Sequence, residues 1–215
     1  MQTVQNYQKH LDGVIADLER QGVRPRLLLH ACCAPCSSYV LEYLARHFAI
    51  TVFDYNPNIS PESEFAARTD EIFRLVREMD FAEGERPSVD VGRYDPERFY
   101  AAVRGHENDP EGGERCAICF ALRLEEAAEA AKCGGFDYFT TTLSISPLKN
   151  AQLLNRLGGE IGERYGVPYL FSDFKKRNGY KRSVELSTLY NLYRQDYCGC
   201  VFSKKEREIM NKNNA

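Results

Sequence analysis

The chain has 215 residues, 43% of them hydrophobic, eight of them cysteine, with a formal charge of −3. A chain of that size buries a full core, so its cysteines are not the staples of a small secreted disulfide scaffold. Nowhere do about 18 apolar residues run together as a membrane span requires, and Met1 to Arg20 lacks an apolar signal-peptide core, so a reducing cytoplasm is the expected home.

In chain order, an amphipathic helix is expected from Val4 to Gln21, then a buried strand at Arg26 to His30, which is short and almost wholly apolar. Pro35 suits the first turn of a helix reaching about His47, and Ala49 to Tyr55 reads as a second strand with β-branched content. After the loop Asn56-Pro57-Asn58, Ser60-Pro61-Glu62-Ser63 supplies an N-cap, an N1 proline and a capping-box-like acid for a helix to about Met79. A strand follows at Ser88 to Val91, and the polar, glycine-containing Arg104 to Glu114 reads as a surface loop. A helix then begins at Cys116 and stops at Gly134-Gly135, followed by a strand at Phe136 to Thr141, a helix at Lys149 to Tyr165 and a last strand at Val167 to Phe171. Tyr180 to Tyr193 and Lys204 to Met210 are helical, with Cys198-Gly199-Cys200 in the turn between them.

Strands alternating with helices imply an α/β fold: one domain over residues 1–215, a parallel sheet with helices on both faces in three layers. Ligands in such sheets bind beyond the carboxyl ends of the strands. Cys32, Asp54-Tyr55-Asn56, Thr140-Thr141-Thr142 and Ser172-Asp173 all fall at that edge. From Ser172 onward the charge is +5 and before it −8, so the C-terminal basic helical segment, about 174–215, is where an anionic partner docks.

Seven of the eight cysteines fall in three clusters, Cys32-Cys33-Ala34-Pro35-Cys36, Cys116-Ala117-Ile118-Cys119 and Cys198-Gly199-Cys200. Cys116 and Cys119, three apart at a helix start, share one face where free N–H groups favour thiolates. With Cys32 and Cys33 at the mouth of another helix they make four sulfurs, a set for tetrathiolate zinc or an iron–sulfur cluster. Ligation from adjacent residues is easier on a cluster with separate corners than on one tetrahedral ion, which favours iron–sulfur. Cys36 is a buried thiol, a ligand or a neighbour of the ligands. A disulfide across Gly199 would be strained and labile, so Cys198 and Cys200 read as a reversible electron store, with metal ligation as the alternative. Cys133 reads as a small core residue.

Leu29-His30-Ala31-Cys32-Cys33-Ala34-Pro35-Cys36, Asp54-Tyr55-Asn56-Pro57-Asn58-Ile59, Arg115-Cys116-x-x-Cys119, Phe139-Thr140-Thr141-Thr142-Leu143 and Tyr197-Cys198-Gly199-Cys200 together resemble the QueH-type epoxyqueuosine reductases, in order and over nearly the whole chain. The resemblance implies reduction of the epoxide of epoxyqueuosine to queuosine at the wobble position of tRNAs with GUN anticodons, fed by an external electron donor. It implies a fold related to the adenine-nucleotide hydrolase-like (HUP, PP-loop) proteins, with the cysteine turn where those carry a glycine-rich phosphate loop. Carried over by position, it makes Cys32, Cys33, Cys116 and Cys119 the ligands of a [4Fe–4S] cluster and Cys198 and Cys200 the redox-active pair. A further mononuclear iron is implied beside the cluster, with Asp54 and Asp173 as candidates for its acidic ligand or as turn and cap residues. His30 is a proton donor or hydrogen-bonded scaffolding.

For the tRNA, Lys175, Lys176, Arg177, Lys181, Arg182 and Arg194 precede the cysteine pair, and Lys204, Lys205 and Arg207 follow it. Tyr180, Tyr190, Tyr193 and Tyr197 are placed to stack on an extruded base or to pack inward. Two other readings stand beside this one: a zinc-stabilised RNA-binding module, and a PP-loop-related tRNA-modifying enzyme. The second needs a glycine-serine phosphate loop after the first strand, and Leu29 to Cys36 contains none.

Overall fold

The computed structural model describes residues 5–213; Val4, the expected start of the first helix, lies outside them. The elements follow in the order α1 (Tyr7–Gln21), β1 (Arg26–His30), α2 (Ala34–Leu44), β2 (Ala49–Asp54), α3 (Glu62–Glu78), β3 (Ser88–Val91), α4 (Pro96–Ala102), α5 (Glu114–Cys133), β4 (Tyr138–Thr141), a 3-10 turn (Thr142–Ile145), α6 (Ala151–Tyr165), α7 (Gly179–Leu189) and α8 (Val201–Asn213). No helix of the described residues is long and apolar enough to cross a membrane.

The four strands form a parallel sheet in the order β3-β2-β1-β4. Successive residues of a strand face opposite sides. Leu27 and Leu29 of β1 therefore pack with α1, α2 and α3, through Leu11, Leu41 and Ile72 among others. Leu28 points the other way, into a core made with α5 and α6 through Leu124, Ala128 and Ile161. Burial on both faces explains why β1 is nearly continuous apolar sequence. The expected three-layer α/β architecture is present. Strand order reverses at β1, whose neighbours are β2 and β4, and the carboxyl edge of such a switch point is where open sheets bind ligands. Cys32 lies there, its sulfur 3.8 Å from Thr142 Oγ1 at the end of β4.

Several expectations need correction, the start of α3 among them: its N-cap is Pro61, with no side-chain cap, and not Ser60. Val167–Phe171 is not a strand: it meets β4 through one bridge, Phe139 to Tyr169. Phe139 N–H donates to Pro168 O at 3.1 Å and Leu170 N–H to Phe139 O at 2.8 Å, after which side chains take over. Pro168 has no N–H for a ladder, Thr140 Oγ1 caps Leu170 O at 2.8 Å, and the buried Asn155 amide donates to Ser172 O at 2.8 Å and accepts from Ser172 N–H at 2.9 Å. A further correction is α4, unanticipated although its signals are ordinary: Asp95 accepts from Arg98 N–H as N-cap, Pro96 follows at N1, and Phe99 is buried. The Cys116 helix also starts earlier, at Glu114, and α7 ends at Leu189 rather than Tyr193.

Asn155→Leu leaves the buried N–H and C=O of Ser172 without partners. We expect a loss of about 2–4 kcal/mol of stability, read from urea unfolding; a loss below about 1 kcal/mol would show that the amide is not what replaces the missing strand.

Candidate active site

The chain leaves β1 in extended form through Cys33, which caps α2, and Pro35 sits in the first turn. Ser37 N–H and Ser37 Oγ–H both donate to Cys33 O, at 3.1 and 2.9 Å, fixing the turn. The sulfurs of Cys32, Cys33 and Cys36 lie within 4.8 Å of one another. Cys33 and Cys36 donate toward Cys32, and with Lys149 and Arg123 nearby they hold its pKa well below the ordinary thiol range. The same hydrogen bond pushes Cys33 up to about 12. Cys36, unassigned from sequence, is thus the third sulfur of the first set.

Cys116 and Cys119 occupy the first two turns of α5, at its N-terminal end. Cys116 packs against the apolar group formed by Cys32, Cys33, Phe120, Leu143 and Leu154, and its sulfur accepts from Gly112 N–H at 3.3 Å. Cys119 packs instead with Cys200, Phe99 and Val103. Burial pushes Cys119 up to about 12 and Cys200 to about 11. All eight cysteines are free, so Cys198 and Cys200 are a dithiol and not a disulfide.

Gly199 holds that turn in place. Its φ is +114°, and a Cβ there would stand 2.9 Å from Ile59 Cγ1 and 3.1 Å from Arg68 Nη1, so glycine is required by conformation and by space. Gly199 O accepts from Ser60 N–H at 3.0 Å, Cys198 O from Arg68 Nη1 at 3.3 Å, and Cys198 N–H donates to Ser203 Oγ at 3.1 Å.

Two clefts adjoin these sulfurs. The larger, about 430 Å³, is lined by Cys32, Cys33, Cys36 and Cys198 and rimmed by Arg68, Lys149, Tyr180, Arg194, Tyr197 and Arg207. The smaller is lined by Cys116, Cys119, Cys198 and Cys200 with Arg115, Arg123 and Asn58. Cys198 and Glu111 border both. Glu111 accepts from Ser203 Oγ at 3.0 Å, and it lies in the segment read from sequence as a mere surface loop. Lys149, Arg123 and Arg68 carry no sequence signal that sets them apart, yet the sulfurs raise the pKa of each against desolvation.

The remaining candidates scatter. Asp54 lines neither cleft; its carboxyl accepts from Asn56 Nδ2 and Thr69 Oγ1, both at 2.6 Å, and burial pushes it up to about 6. Asp173 holds the Lys175 ammonium at 2.7 Å and lines neither cleft. Arg177 pairs with Asp12, and Arg182 with Glu42 and Glu185, so three of the six cations proposed for RNA are bound to carboxylates. Lys176 and Lys181 are exposed, and among the six Arg194 alone reaches a cleft. Cys133 is exposed at the far end of α5, not in the core as expected.

A family profile described as epoxyqueuosine reductase QueH matches residues 27–206. A Staphylococcus epidermidis protein named epoxyqueuosine reductase QueH is 45% identical over 206 residues, covering 95% of this chain and 87% of that one. Proteins of the same name from Streptococcus pyogenes and Thermotoga maritima are 44% and 36% identical, covering 95% and 84% of this chain and 80% and 91% of theirs.

His30 is fully buried, with Nε2 3.1 Å from Tyr55 O and Nδ1 2.8 Å from Thr141 Oγ1. A carbonyl only accepts, so Nε2 carries the proton and Nδ1 accepts from Thr141; both nitrogens are spent on scaffolding. Burial, with Arg123, lowers its pKa from 6.5 to about 4. The unfolded chain therefore gains a proton through about pH 6.5 while the native state resists, so this stability is complete above that pH and lost on acidification. We expect about 2–3 kcal/mol to disappear between about pH 7 and 4.5 relative to His30→Gln, measured by urea unfolding of both. The oppositely signed contribution of Asp54 is common to the two proteins; parallel profiles would refute the assignment.

Proposed function

The chain belongs to the QueH family of epoxyqueuosine reductases and is an oxidoreductase, and from that premise we propose that it reduces the epoxide of epoxyqueuosine at the wobble position of tRNA to the cyclopentene of queuosine. What carries this is the meeting of three cysteine segments at the carboxyl edge of the sheet, with Cys198 on the wall common to both clefts. Deoxygenating an epoxide takes two electrons and two protons and releases water. Oxidation of the Cys198 and Cys200 thiols to a disulfide across Gly199 yields two electrons and two protons, so dithiol and epoxide balance to disulfide, alkene and water. Reduction of that disulfide by an external donor closes the cycle.

The donor set fits an anionic iron–sulfur centre. Three sulfurs converge at Cys32, Cys33 and Cys36, Cys116 packs against them, and Arg123 and Lys149 bring positive charge to the same place. Cys32, Cys33, Cys116 and Cys119 would hold a [4Fe–4S] cluster; a mononuclear iron beside it would require Asp54 to leave Asn56 and Thr69, or Asp173 to leave Lys175. When bound, such a centre supplies single electrons and, at an open iron, Lewis acidity.

Around it the larger cleft offers Lys149, Arg194 and Arg207 to phosphates of the anticodon loop. Arg68 stacks on Tyr197 with its guanidinium carbon 5.3 Å from the ring centre, and Arg194 on Tyr180 at 6.0 Å, two flat faces suited to an extruded base. We read the whole as one domain with its basic C-terminal segment over about 174–215, related to the adenine-nucleotide hydrolase-like folds and working in a reducing cytoplasm, with the cysteine turn in the place of a phosphate loop.

Anaerobically purified protein should absorb near about 400 nm and contain iron and sulfide, and tRNA from a deletion strain should carry epoxyqueuosine in place of queuosine by nucleoside mass spectrometry. A colourless zinc protein would favour the RNA-binding module instead. Cys198→Ser should abolish turnover and leave the visible spectrum intact; loss of the spectrum would make the pair ligands.

A further inference from the structure

Three arginines are almost fully buried in this region, and two hold glutamates: Arg68 pairs with Glu64 and Arg115 with Glu206, each at 2.8 Å. Arg123 is 1% exposed, and among the described residues no carboxylate pairs with it. Its Nε donates to Cys119 O at 3.2 Å, Nη1 reaches Asn56 Oδ1 at 3.4 Å, and the guanidinium lies over the Phe120 ring. Nη2 has no partner among the described residues, and the side chain lines the small cleft with Cys116, Cys119, Cys198 and Cys200.

A guanidinium cannot shed its charge, and burying it unpaired costs several kcal/mol. The cysteines around it offset that cost fully only as thiolates, and metal-bound cysteine is thiolate. We propose that Arg123 is the resident counter-cation of the cysteine centre, donating its Nη2–H toward sulfur and raising the reduction potential of whatever the thiolates hold. The inference rests on the reading of these thiols as an iron–sulfur site. A fixed cation stabilises the reduced, more negative form, and hydrogen bonds to sulfur act in the same sense. Arg123 is a positioning and tuning residue here, not one that touches substrate.

Redox titration of the iron-loaded protein, followed by visible and EPR spectra, tests this. In Arg123→Met the midpoint should fall by at least about 59 mV, the one-electron equivalent of a tenfold lower reduced-to-oxidised ratio at fixed potential, while Arg123→Lys should regain most of it. An iron-loaded methionine variant with an unchanged midpoint overturns the inference. Should that variant hold no iron, the metal-free melts decide. Removing a buried charge that lacks its full set of thiolates should leave metal-free Arg123→Met as stable as the metal-free wild type or more so, and a clearly lower melting temperature overturns the proposal. Wild-type protein that takes up no iron sinks the functional reading itself, a separate result.

Discussion

A cation withdrawn from water draws on whatever acceptors the protein offers, and the cysteine region is assembled around three such cations, two paired with a carboxylate and the third, Arg123, with none among the described residues. Arg68, from α3, grips Glu64, the carbonyl of Cys198 and the face of Tyr197. Arg115, from the start of α5, binds Glu206 of α8 and the carbonyls of Glu107 and Asp109, so the loop bearing Glu111 is stitched to the last helix. Arg123, one turn beyond Cys119, ties α5 to the Asn56 loop after β2, and Asn56 in turn donates to Ala31 O, just before Cys32. Three segments far apart in sequence are thereby held at one sheet edge. Each guanidinium spans several acceptors at once, which a lysine ammonium cannot do with the same geometry.

The frame of the fold is legible in the sequence because its physics is local. A parallel strand covered on both faces has to be apolar throughout, as Leu27, Leu28 and Leu29 are, and Gly134-Gly135 and Gly166 punctuate the helices that follow. The same local logic misleads at Val167–Phe171, where Pro168 interrupts the ladder and Asn155, from a neighbouring helix, supplies the missing hydrogen bonds. Only the tertiary arrangement shows that substitution.

The site is legible in part for the same reason. Cysteines announce themselves by type and spacing, so Cys32, Cys33, Cys116, Cys119, Cys198 and Cys200 are readable, and their convergence follows from the topology. Arg123 in an alanine-rich helix reads as an ordinary surface arginine until its burial is known, and Glu111 reads as loop polarity until α8 folds over it. Asp54 and Asp173 show the reverse: strand ends advertise them, but Thr69, Asn56 and Lys175 occupy their oxygens.

The pairing of Lys175, Arg177 and Arg182 with Asp173, Asp12 and Glu42 has a consequence for how any polyanion is met. Counting basic residues in the C-terminal segment overstates the charge free to displace condensed counterions, and each phosphate actually neutralised sets the slope of affinity against salt. With those cations already committed, Lys149, Arg194 and Arg207 are the cations without a carboxylate partner that face the larger cleft, while Lys176, Lys181, Lys204 and Lys205 stand exposed and line neither cleft. Low-dielectric walls shield the three cleft cations from ionic screening, so their pull on an anion fades less with added salt than that of the exposed lysines.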